Sequence, residues 1–299
     1  MTRTLLLLSS AVIFAACVDA ETQEMDAFER TIPELQAAMA SGETTSAALV
    51  QQYLDRIAAF DRDGPRLSAM IMINPGALKE AAELDREREE KGPRGPLHGI
   101  PIVLKDNYDT HDMPTTASAV AMAGFVPLDD GTQVRRLREA GAVFIGKTNL
   151  HEFARGIETI SSLGGQTRNP YDPRRNPGGS SGGTAAAVAA NFAAVGMGSD
   201  TCGSIRIPAA NNNLFGLRVT QGLSSRDGIV PLALTQDVGG PLARSMIDLV
   251  TVLDATVGAD PADPQTIDAD EHRPDSFAEF LDADALQGAR LGLLTDYLE

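Results

Sequence analysis

At 299 residues, 43% of them hydrophobic and 22% charged, the chain is long enough for one large domain or two ordinary ones and too apolar to be disordered. With 41 acidic against 25 basic side chains and a formal charge of -16, its surface repels phosphate backbones, which argues against nucleic acid as a partner. Two cysteines exclude a disulfide scaffold.

Thr2 and Arg3 precede the apolar run Leu5 to Ala16, shorter than the roughly 20 residues a membrane-spanning helix needs but suited to the core of a secretory signal. Residues 1–20 are therefore expected to be a leader. Within them Phe14-Ala15-Ala16-Cys17 resembles a bacterial lipobox, in which the cysteine is acylated and becomes the new N-terminus. Val18-Asp19-Ala20 also suits ordinary cleavage after Ala20. Either way the protein is expected to be exported to the periplasm or cell envelope, with lipid attachment at Cys17 as the preferred reading and its only contact with a membrane. Without the leader, Cys202 has no partner for an intramolecular disulfide.

Thr31-Ile32-Pro33-Glu34 combines capping-box spacing with a proline in the first turn, and Leu35, Ala38 and Met39 then share a helical face. A second helix is expected from about Thr45, with Leu49, Tyr53, Leu54 and Ile57 as its stripe, and a highly charged third one from Ala77 to Lys91. The loop Gly92-Pro93-Arg94-Gly95-Pro96 leads into a short buried strand, Ile100 to Leu104. Thr132 is expected to cap a helix that runs to Ala140 and ends at Gly141, and Ala142 to Ile145 reads as another buried strand.

Gly164 to Gly183 is a long polar stretch that opens into a small-residue helix, Thr184 to Ala190; structureless segments of this length are usually functional. A strand ending near Gly198, the segment Asp200 to Pro208 and a helix from about Ser245 to Val257 follow. Ala259 to Pro274 reads as an acidic surface loop, and the last 15 residues as a short helix and a buried strand, Arg290 to Leu294. The alternation is that of an α/β fold.

Two motifs mislead. Gly141 to Thr148 fits the phosphate-loop pattern GxxxxGK[ST], but a helix precedes its first glycine and its middle residues are apolar and strand-like. Gly178-Gly179-Ser180-Ser181-Gly182 fits the GxSxG nucleophile elbow, but the residues before it are loop-like, and the only later histidine, His272, reads as a solvated side chain. His98, His111 and His151 lack metal-ligand spacing, so neither a metal nor a cofactor is expected.

Three features remain: Lys105 at the end of a buried strand, the glycine-flanked pair Ser180-Ser181, and Asp200-Thr201-Cys202-Gly203-Ser204-Ile205-Arg206. Singly, Lys105 reads as a strand-end lysine reaching solvent, the serine pair as turn residues and Ser204 as a helix cap. In this order and spacing they closely resemble the amidase signature family, serine hydrolases with a Ser-Ser-Lys triad. Supporting pieces are Gly99 to Asp106, Gly146 to Phe153, Arg168-Asn169-Pro170 and Gly216-Leu217-Arg218. The resemblance runs from about Thr31 to the C-terminus and is densest between Gly99 and Arg244. It implies a mixed β-sheet core covered by helices on both faces, occupying residues 25–299 as the N-terminal and catalytic part of the domain, with the C-terminal portion missing and the sheet incomplete there.

Carried over by motif, Ser204 is the nucleophile, Ser180 the bridging serine after a cis peptide at Gly179-Ser180, and Lys105 the base. Thr201, Cys202, Gly203 and Ser181 form the oxyanion and substrate-binding set, Asp200 and Arg206 support it, and Ser181 also serves as a supporting hydrogen-bond partner. A lysine near 10.4 is no base at neutral pH, but burial disfavours its charged form and can lower that value by several units. Many family members have glycine at Cys202; backbone N–H donation survives the change, but a side chain beside the nucleophile narrows the acyl pocket, and a positive φ would be strained for cysteine. The implied function is hydrolysis of small-molecule carboxylic amides to carboxylate and ammonia or amine. The alternatives are the glutaminase subunit of a tRNA-dependent amidotransferase and a truncated, inactive remnant or binding protein. Oligomeric state and acyl specificity stay open.

Overall fold

The computed structural model describes residues 25–295, so the leader, with Cys17, lies outside the described residues. The first two helices form where their caps place them. Thr31 caps α1 (Ile32–Ser41) through a complete capping box with Glu34, and Thr45 caps α2 (Ser46–Ile57), each burying the expected apolar stripe except Leu54, which is half-buried. The strand β1 (Met70–Ile73) follows, then α3 (Ala77–Lys91), whose Ala77, Ala81 and Leu84 are its buried positions, and β2 (Pro101–Lys105).

The helix α4 (Thr132–Glu139) has Gly131 at its cap; Thr132 is its first helical residue, and its hydroxyl donates instead to Asp227 Oδ2 at 3.2 Å. The strand β3 (Val143–Thr148) takes in the Gly146-Lys147-Thr148 segment, which disposes of the phosphate loop: Lys147 is fully buried, and a Cβ on Gly146 would meet Met72 O at 2.2 Å. A small ribbon of β4 (Ile160–Ser161) with β5 (Gly165–Gln166) leads into the polar stretch, which ends in α5 (Gly182–Ala189), two residues earlier than expected. Then come β6 (Val195–Asp200), α6 (Arg206–Asn211), β7 (Phe215–Gly216), β8 (Val238–Ala243) and α7 (Met246–Thr256), capped by Ser245.

The main sheet has the order β1-β3-β2-β6-β8-β7. Its central strands β3, β2 and β6 are parallel and its flanks antiparallel, a mixed sheet with helices packed against it. Close approach of α5 requires glycine in β6: a Cβ on Gly196 would meet Thr184 Cγ2 at 2.5 Å. No described helix is long and apolar enough to cross a membrane.

Two expectations fail. Asp260, Asp263, Thr266 and Ala269 are buried, so Ala259 to Pro274 is not a plain surface loop; Asp263 pairs with Arg226 at 2.5 Å and Ser225 Oγ donates to Asp260 at 2.5 Å. Residues 283–288 form turns rather than a helix, and Arg290 to Leu294 form no strand; Leu291, Leu293 and Leu294 are exposed. An apolar run becomes a strand only beside a partner edge, and this one pairs with neither β1 nor β7.

Candidate active site

The parallel register of β2 and β6 assembles the site. Leu104 lies opposite Met197, so Lys105, one residue on, reaches the end of β6, where Ser199 and Asp200 precede the loop to α6. Lys105 is fully buried, and its Nζ lies 2.7 Å from Ser180 Oγ. Burial pushes the lysine down to about 7, while the nearby charges of Asp200 and Asp237 pull the other way.

Ser180 enters from the opposite side, in the loop before α5, and the peptide joining it to Gly179 is cis. No strand precedes it, so the elbow reading of GxSxG fails. Thr159 holds this loop: its hydroxyl donates to Gly178 O at 2.7 Å and accepts the Gly182 N–H at 3.0 Å, while His151 N–H donates to Ser180 O at 3.0 Å. Nothing in the spacing of Thr159 points to this role, because only the fold brings it 21 residues back onto Ser180. Its approach demands glycine: a Cβ on Gly179 would meet Ile157 C at 2.8 Å and Glu158 N at 2.9 Å.

Ser181 N–H donates to Ser204 O at 3.1 Å, and its hydroxyl donates to Ser199 O at 3.1 Å. Ser181 is fully buried and engaged on both sides. Ser204 is 5% exposed, at the mouth of the assembly. Among the described residues no hydrogen bond joins its hydroxyl to that of Ser180, whereas Ser180 and Lys105 are in contact.

The loop from Asp200 to Arg206 wraps around one carboxylate. Asp200 accepts from Gly203 N–H at 2.7 Å, Ile205 N–H at 3.0 Å and Arg206 Nε at 3.2 Å. Burial alone would push this carboxyl up; the hydrogen bonds from Arg206, Ile205 and Gly203 outweigh it and hold it below the ordinary range. Gly203 therefore spends its N–H on Asp200 and leaves the expected oxyanion donor set. The N–H groups of Thr201 and Cys202 have no acceptor among the described residues. Cys202 is exposed and its φ is not positive, so the strain feared for a side chain there does not arise. Arg206 is half-exposed and pairs with Asp200.

Asp237 escaped the sequence reading. Thr201 Oγ1 donates to it at 2.5 Å, and its other oxygen accepts the N–H groups of Leu232 and Ala233, each at 2.8 Å. It fixes the loop that carries Thr201. A buried pair of similar kind lies one strand away, Lys147 Nζ 3.5 Å from Asp106 Oδ1, with Thr116 and Ser118 also bound to that carboxylate. The three-member group His111, Asp112 and Asp130 has metal-ligand atoms close together, but Arg138 already pairs with both carboxylates.

Comparison with known proteins finds relatives of this chain. A family model described as Amidase matches residues 48–299. A probable amidase of Arabidopsis thaliana is 41% identical over 302 residues, covering 97% of this chain and 58% of the relative. A glutamyl-tRNA(Gln) amidotransferase subunit from Thermobifida fusca is 46% identical over 234 residues, covering 78% of this chain and 47% of the relative. The X-ray structure of native peptide amidase from Stenotrophomonas maltophilia superposes with a TM-score of 0.78 at 55% identity, over 80% of this chain and 50% of that one. The chain spans about half the length of the relatives it matches.

Proposed function

The chain belongs to the amidase family, and from that premise we propose that it hydrolyses carboxylic amides to carboxylate and ammonia or amine, with Ser204 as nucleophile, Ser180 as bridge and Lys105 as base. One observation carries the reading: a lysine that burial brings to about 7 sits 2.7 Å from the bridging hydroxyl. In its neutral form it takes the Ser180 proton while Ser180 takes that of Ser204. Ser204 Oγ bonds to the amide carbon, and the oxyanion lies against the free N–H groups of Thr201 and Cys202. The relay then runs backwards: the proton passes to the amide nitrogen, the C–N bond breaks and amine leaves. Water hydrolyses the acyl-enzyme by the same proton path.

The likeness to a peptide amidase favours peptide amides as the substrate class. The test is release of ammonia from peptide amides by the full chain, together with fluorophosphonate labelling of Ser204; turnover retained by Ser204→Ala or Lys105→Met sinks the mechanism. Likeness to the amidotransferase relative supports a second reading, glutamine hydrolysis within a complex. Preference for free glutamine over peptide amides, with co-purification of a tRNA-binding partner, would decide for it. We also propose export and acylation at Cys17, on the strength of the Leu5 to Ala16 run and the sequence ending in that cysteine. Radiolabelled palmitate retained by the protein and lost in Cys17→Ala tests it.

A further inference from the structure

Lys105 serves as a base only when its lone pair, rather than an N–H, faces Ser180, and the contact between them does not by itself say where the proton lies. The rest of its surroundings bears on it. Its Nζ also lies 3.3 Å from Ser199 O, which can only accept, and 2.9 Å from Ser199 Oγ, which by itself can donate or accept. Asn107 narrows that freedom. Its Nδ2 lies 3.0 Å from Ser199 Oγ and 3.4 Å from Val230 O. Because a carbonyl accepts, the Asn107 group between the two is the NH2. It donates to Ser199 Oγ and occupies one of that oxygen's two lone pairs, which leaves the other to accept an N–H of Lys105. This orientation is kept although Asn107 Oδ1 is buried with no partner among the described residues.

We propose that Ser199 and Asn107 are positioning residues: together they engage both N–H bonds of the neutral Lys105 amine, so that its single lone pair is aimed at the Ser180 hydroxyl. The proposal rests on the reading of Lys105 as the base. Once the proton arrives, Ser180 Oγ, Ser199 Oγ and Ser199 O accept the three N–H bonds of the ammonium, and the site accommodates both states without moving a residue. The charged groups facing Lys105 are Asp200 at the end of β6 and Asp237 before β8; Tyr108, in the turn after β2, is kept neutral by burial and donates to Gly198 O. The variants below alter none of them.

The experiment reads Lys105 protonation directly, in the full chain labelled with 13C-lysine, by following the Cε resonance that disappears in Lys105→Met. Ser199→Ala removes an acceptor that binds the ammonium more strongly than the amine, so Lys105 is expected to titrate at lower pH, a roughly tenfold change in its protonation equilibrium. Ser199→Thr keeps the hydroxyl and is expected to leave the titration in place, and Ser199→Cys, with a weak acceptor, to fall between. Asn107→Ala is expected to lower kcat about tenfold with KM unchanged. An unmoved Lys105 titration in both Ser199→Ala and Ser199→Cys overturns the positioning role while leaving the base intact. Undiminished fluorophosphonate labelling of Ser204 in Lys105→Met overturns the base itself.

Discussion

Replacing Lys105 by methionine is expected to abolish turnover and yet to stabilise the protein at neutral pH. Burial takes the lysine from 10.5 to about 7. Between those values the unfolded chain binds a proton that the folded chain refuses, so the native state gains stability as pH rises through this window and carries the whole penalty below it. At about 1.4 kcal/mol per tenfold change in protonation, the penalty is about 5 kcal/mol in acid, about 4 near pH 7 and about 2 near pH 9. Methionine escapes it, but leaves Ser199 Oγ and Ser199 O without their donor and the Ser180 hydroxyl without its acceptor, at about 1 kcal/mol each. The balance favours the variant by roughly 1–2 kcal/mol near pH 7 and turns against it between about pH 8 and 9. Urea unfolding of both full chains, followed by circular dichroism at about pH 6.5 and pH 9.5, measures the difference. A stability difference equal at the two pH values would refute the reasoning, because it would mean that Lys105 is not held neutral by the fold.

The same titration predicts the pH dependence of catalysis: kcat/KM for an amide should rise through an acid limb near pH 7, and a limb that stays put in a variant lacking Asp237 would contradict the charge arrangement around Lys105. Gly179→Ala should remain soluble but lose most of its activity, since its Cβ collides with backbone atoms at 2.8 and 2.9 Å and displaces Ser180; turnover within about twofold of the parent would show that the loop has slack. Lys147→Met strands the buried Asp106 carboxylate and is expected to cost about 3–5 kcal/mol in chemical denaturation, with Ser204 labelling by fluorophosphonate preserved in the folded fraction.

What was legible in the sequence was local. Thr31, Thr45 and Ser245 stand at the helix starts they cap, because a cap depends on residues within one turn of it. The antiparallel strand β8 escaped notice, since Val238-Gly239-Gly240-Pro241 has the composition of a turn and becomes a strand only by pairing along the whole of β6. Arg290 to Leu294 is the reverse case, strand-like in composition and unpaired in the fold.

By itself the sequence determined the family and the positions of Lys105, Ser180 and Ser204, because order and spacing of motifs are properties of the chain alone. Their chemistry was decided by the tertiary structure. Proton affinity and hydrogen-bond direction depend on what surrounds an atom, and those surroundings come from distant segments. The buried register of β2 against β6 brings Lys105 down to about 7, Asp200 takes up the Gly203 N–H, and Thr159, Ser199, Asn107 and Asp237 make their contacts only where the chain folds back on itself.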